Sequence, residues 1–98
     1  MRILGLHNII REDGVIYYRK YFTAICEIEL PLRTIATPIS FTVEMSPLGE
    51  KKIDITFLES IEYPLLPILK ILKEMIKKLD YEGKLLWLLY EQNHKKKL

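Results

Sequence analysis

The chain has 98 residues, 49% of them apolar and 29% charged, with only four glycines and five prolines; this composition excludes disordered, collagen-like and low-complexity classes, and the length suits one hydrophobic core rather than two. The formal net charge of +2 is unevenly carried: residues 1–60 hold 7 basic and 8 acidic side chains, residues 61–98 hold 8 basic and 5 acidic. Such a balance argues against a dedicated binder of the phosphate backbone, which needs a strong basic patch.

Residues 2–10 are rich in Ile and Leu and lead into Arg11-Glu12-Asp13-Gly14, a polar stretch whose glycine can take the positive φ of a hairpin turn. The N-terminal apolar run is too short for a signal peptide. A second strand would run from Val15 to about Leu30, far longer than the common five or six residues, so it must bend, bulge or break. Within it, Cys26, Ile28 and Leu30 alternate with Glu27 and Glu29, which turns the even positions toward a core and the odd positions outward. Tyr17, Arg19, Tyr21 and Ile25 then share the outer face.

Lys20 disturbs this pattern, because strict alternation places its ammonium with Phe22 and Cys26 on the core side. A bulge between about Arg19 and Ala24 would reverse the facing of the residues before it and give an outer row of Tyr18, Lys20 and Phe22. The other solution keeps the alternation and lets Lys20 reach water along its stem at a sheet edge.

Pro31 and Pro38 bracket residues 32–37, which reads as a connection or an edge crossing, since proline cannot donate to a ladder. Ile39, Phe41, Val43 and Met45 alternate with Ser40, Thr42 and Glu44, and Ile53, Ile55 and Phe57 with Asp54 and Thr56; these are two half-buried strands. Between them Ser46-Pro47-Leu48-Gly49-Glu50 supplies the residues of a tight turn. After Ser60 the period changes to 3.6: Leu65, Ile68, Leu69, Leu72, Met75, Ile76 and Leu79 line one face of a helix that starts between Pro64 and Pro67 and stops at Gly83. Residues 84–92 are apolar nearly all round and predict a second, short helix whose surface must be covered.

The expected architecture is one α+β domain over residues 1–98, with a sheet over about 2–58, a main helix over about 64–80 and a C-terminal segment over 84–98. It is a four-stranded antiparallel sheet of two hairpins followed by one long amphipathic helix packed on one face, in the order ββββα, with a short apolar C-terminal helix. That order is similar to the Pur-alpha-like and Whirly nucleic-acid-binding domains, whose sheets bind single strands. The likeness lies in topology over about residues 2–80, without a shared signature motif, and implies no functional residue.

The chemistry-bearing residues are sparse. His7 and His94 have no second ligand at metal spacing, Ser40, Ser46 and Ser60 stand in no nucleophile motif, and the isolated glycines make no phosphate loop. Neither a metal nor a cofactor is expected, and Cys26 reads as a small buried hydrophobe. The carboxylate pairs Glu12/Asp13, Glu27/Glu29 and Glu59/Glu62 sit in a turn, on a strand face and at a helix entrance, where exposed charge belongs. No enzyme is expected from these residues.

No segment approaches the roughly 18 to 20 apolar residues that span a bilayer, so no membrane partner is expected and the cytoplasm is the predicted location. The sequence therefore predicts a non-catalytic binding module that pairs with another copy of itself. Its binding residues would be Tyr17, Arg19, Lys20, Tyr21 and Ile25 on the open sheet face, and its oligomer contacts Leu85, Leu86, Trp87, Leu89 and Tyr90. The alternative is a single-stranded nucleic-acid binder that stacks bases on the aromatic-basic strand.

Overall fold

In the computed structural model, which describes residues 1–12 and 18–85, four strands precede one helix: β1 (Arg2–Glu12), β2 (Arg19–Glu29), β3 (Thr34–Met45), β4 (Lys51–Phe57) and α1 (Leu65–Tyr81). All neighbours are antiparallel and the sheet order is β1-β2-β3-β4, a meander. The ββββα architecture is the one that the two sequence periods dictate. The expected short C-terminal helix falls beyond Leu85, outside the described residues.

The register of β2 with β3 is unbroken from Arg19↔Glu44 to Glu29↔Thr34. The bulge considered for β2 is therefore absent, and Phe22, Ala24, Cys26 and Ile28 face the helix in strict alternation. The irregularities lie in the edge strand β1 instead, between Ile3 and Gly5 and between His7 and Ile10. Asn8, in the second of these, has φ +51°, a left-handed conformation that asparagine tolerates better than most residues. An edge strand has one neighbour to satisfy, so it absorbs an extra residue more readily than β2, which is held on both sides.

Pro38 lies inside β3 rather than in a connection. Its carbonyl accepts the Leu58 N–H at 3.1 Å, so its backbone polar edge points toward β4 just where that strand ends at Phe57. The missing N–H thus falls at the limit of a ladder, which explains a proline in a central strand. The true connection is Leu30 to Arg33, closed by the Leu30 N–H to the Arg33 carbonyl at 2.8 Å. The β3–β4 turn is the predicted one, with the Ser46 N–H donating to the Glu50 carbonyl at 2.8 Å and Gly49 at φ +84°.

The core lies between one face of the sheet and α1. Phe22 and Phe41, directly opposite in the ladder, stack with ring centroids 4.9 Å apart, and Ile68, Leu72 and Ile76 close over this face from the helix. Burial of side chains of this size contributes roughly 1.5–3 kcal/mol each. Pro64 precedes the first helical residue and Pro67 sits in the first turn, where a missing N–H removes no intrahelical bond. Gly83, at φ +74°, donates to the Asp80 carbonyl and ends the helix as expected.

Candidate functional site

Three core-facing rows end in charge at the same place. On β2 the even positions Phe22, Ala24, Cys26 and Ile28 begin with Lys20. On β4, Ile53, Ile55 and Phe57 begin with Lys51. On α1 the four-residue row Ile68, Leu72, Ile76 ends at Asp80. The register brings these rows together: Lys20 stands opposite Val43, Val43 opposite Ile53, and Lys51 opposite Met45.

The Asp80 side chain is 3% exposed and sits between the two lysines. Lys20 Nζ lies 3.5 Å from Oδ1, and Lys51 Nζ donates to Oδ2. A buried carboxylate is costly unless charge and hydrogen bonds compensate it, and here two ammonium groups do so. One ion triad thereby ties β2, β4 and the C-terminal turn of α1.

Above the triad is an open groove of about 550 Å³, walled by Tyr18, Val43, Met45 and Pro47 with Lys20, Lys51 and Asp80 at its floor. Tyr18 is fixed there by its carbonyl, which accepts the Met45 N–H at 2.8 Å and carries the β2–β3 pairing one step past Arg19. Glu44 and Ser46 also contribute to the rim. By strand parity the Glu44 side chain belongs to the opposite face, beside Arg19 and Lys52.

The sequence-predicted binding residues do not form one surface. Arg19, Tyr21 and Ile25 share the outer face, with Arg19 exposed, Tyr21 41% exposed and Ile25 half-buried. Lys20 is a correction to the predicted row: it points to the helix side, toward Asp80. Leu85 is also corrected, from an oligomer contact to a core residue, at 1% exposure. Tyr17, Leu86, Trp87, Leu89 and Tyr90 lie outside the described residues.

The outer face is mixed and leans acidic. Glu12, Glu27, Glu29, Glu44 and Asp54 share it with Arg2, Arg19 and Lys52. Several of these charges pair locally, His7 with Glu27 at 2.7 Å, Arg2 with Glu29 at 3.3 Å and Lys52 with Asp54 at 3.9 Å. Its middle carries Thr23, Ser40, Thr42 and Thr56 rather than a row of rings. Cys26 is fully buried and burial pushes its thiol up to about 11, which suits packing and not nucleophilic attack. Among the described residues no three His, Cys, Asp or Glu side chains group as metal ligands, and no helix is long and apolar enough to cross a membrane.

Lys51 and Asp80 are the site residues that sequence reasoning missed. A signal existed: Asp80 continues the helix row at spacing four, and Lys20 and Lys51 each continue a core-facing strand row. Three rows with a misplaced charge at one end, of opposite sign on helix and strands, is the pattern that points to a triad.

Residues 1–81 match the model of the BB_0187 family. No curated protein and no solved structure matches the chain.

Proposed function

We propose that this chain, which belongs to that family, is a small non-catalytic binding module whose binding site is the groove over Lys20, Asp80 and Lys51. The observation that carries this reading is the meeting of apolar walls with a few convergent polar groups in a concavity of about 550 Å³. Small-molecule sites have this form and a volume of roughly 300–1,000 Å³. The family match takes in all three floor residues and ends at Tyr81, which supports placing the function in the sheet and helix rather than in residues 84–98. A cytoplasmic location belongs to the same reading and rests on the lone, unpaired Cys26.

A thermal-shift screen of small organic compounds tests it. Some compounds should raise the melting temperature of the wild type and leave that of Met45→Arg, which places a bulky cation in the groove, unmoved. A wild type that responds to none, or a variant that responds equally, refutes the reading.

Self-association through the outer sheet face is the second reading. It is supported by Ile10, at 48% exposure, and Tyr21 on the face that the helix leaves open. Single-stranded nucleic acid has less support, since the five carboxylates of that face repel phosphate and Tyr21 is the aromatic residue available for stacking among the described ones.

A further inference from the structure

We infer that the groove takes an amphipathic organic anion, with a carboxylate set on an apolar body. This rests on the groove being the binding site and goes further by naming the chemistry of what enters it.

Charge and access together favour an anion. The floor holds two ammonium groups and one carboxylate. The carboxylate is the inaccessible member, at 3% side-chain exposure, with one oxygen facing each lysine, whereas the Lys20 and Lys51 side chains are 26% and 37% exposed. A molecule entering the groove therefore meets cations, not Asp80. Each ammonium has three donors, and among the described residues each makes one side-chain hydrogen bond, to Asp80. The remaining donors and the surplus positive charge suit one anionic group.

The walls select the rest of the ligand. Val43 is buried, Met45 and Tyr18 are 45% and 58% exposed, and Pro47 completes an apolar lining that an aliphatic or aromatic body would cover. Methionine adapts its shape to such bodies. A polyphosphate or a sugar would leave these walls wet and bring more charge than the floor can match. A ligand amine would face two lysines.

Calorimetric titration of the full chain with decanoate, decanol and decylamine tests the inference, because the three share a tail and differ in the head group. Decanoate should bind at least about tenfold more tightly than decanol, as a charge-assisted hydrogen bond requires, and decylamine should bind least. Lys51→Met should lose about tenfold for decanoate and little for decanol, while Lys51→Arg, which keeps the charge, should retain binding. Circular dichroism melts of each variant establish that it is folded. Decanol binding as tightly as decanoate overturns the anion assignment and leaves the groove reading standing. Binding of decanoate that survives both Lys51→Met and Met45→Arg places it elsewhere and overturns both. Failure of all three probes to bind overturns the inference and identifies the triad as a structural tie alone, with the compound screen still deciding the groove.

Discussion

Lys20 and Asp80, 60 residues apart in the chain, form an ion pair at 3.5 Å across the end of the core. The pair settles the facing of β2: the lysine that disrupts an otherwise regular apolar row is there because a carboxylate from the last turn of the helix meets it. Asp80 is also an acid where a helix favours bases, so its position is explained by the two strand lysines and not by the helix itself.

The triad should be strongly coupled. Asp80→Ala leaves two lysines without their counter-charge at a partly buried site and should cost about 2–4 kcal/mol in urea unfolding. Adding Lys20→Met to Asp80→Ala should recover part of that loss, with a coupling of about 1–3 kcal/mol in the double-mutant cycle. Strict additivity would mean that the pair is not formed in solution.

Gly83 ends the helix three residues after Asp80 and holds φ +74°. Alanine there meets no atom within 4 Å, so steric crowding is not the issue and the cost is backbone strain alone. Gly83→Ala should lower stability by about 1 kcal/mol. An unchanged denaturation midpoint would show that the left-handed stop is not required.

Cys26 should be inert in the native protein. Burial raises its thiol from 9.0 to about 11, so at pH 8 it is protonated as well as enclosed, and a thiol reagent should modify it only after unfolding in urea. The folded state holds this proton more tightly than the unfolded one. The thiol's contribution to stability is therefore complete below about pH 9 and declines as pH rises toward 11. Rapid stoichiometric labelling under native conditions would contradict the packing of the β2 row.

The outer sheet face should not bind nucleic acid. A labelled mixture of single-stranded oligonucleotides at low salt is predicted to show no mobility shift. A shift that weakens steeply with salt and is lost in Arg19→Ala and Tyr21→Ala would restore that partner.

The parts of this fold that are legible in the sequence are those governed by a local period. Alternation in Ile39 to Met45 and Ile53 to Phe57, the turn at Ser46 to Glu50, and the spacing of Ile68, Leu72 and Ile76 each follow from a few neighbouring residues. Pro38 is not legible as a strand residue because its tolerance depends on where β4 stops, a property of another segment. The site is half visible. Lys20 stands out as an anomaly, but its resolution needs the register of β2 on β3 and of β3 on β4 together with the end of the helix. No local pattern contains that combination. The aromatic-basic run draws attention to the right strand and to the wrong face of it.

Whether the groove over Lys20, Asp80 and Lys51 is where this protein binds can be read directly from a nuclear magnetic resonance titration of the full chain with decanoate, following the Met45 methyl and the backbone amides. Shifts should concentrate at Tyr18, Val43, Met45 and Lys51, with Arg19, Tyr21 and Ile25 unmoved. Shifts that gather on the outer face, or an absence of shifts in the groove, would show that binding does not occur there.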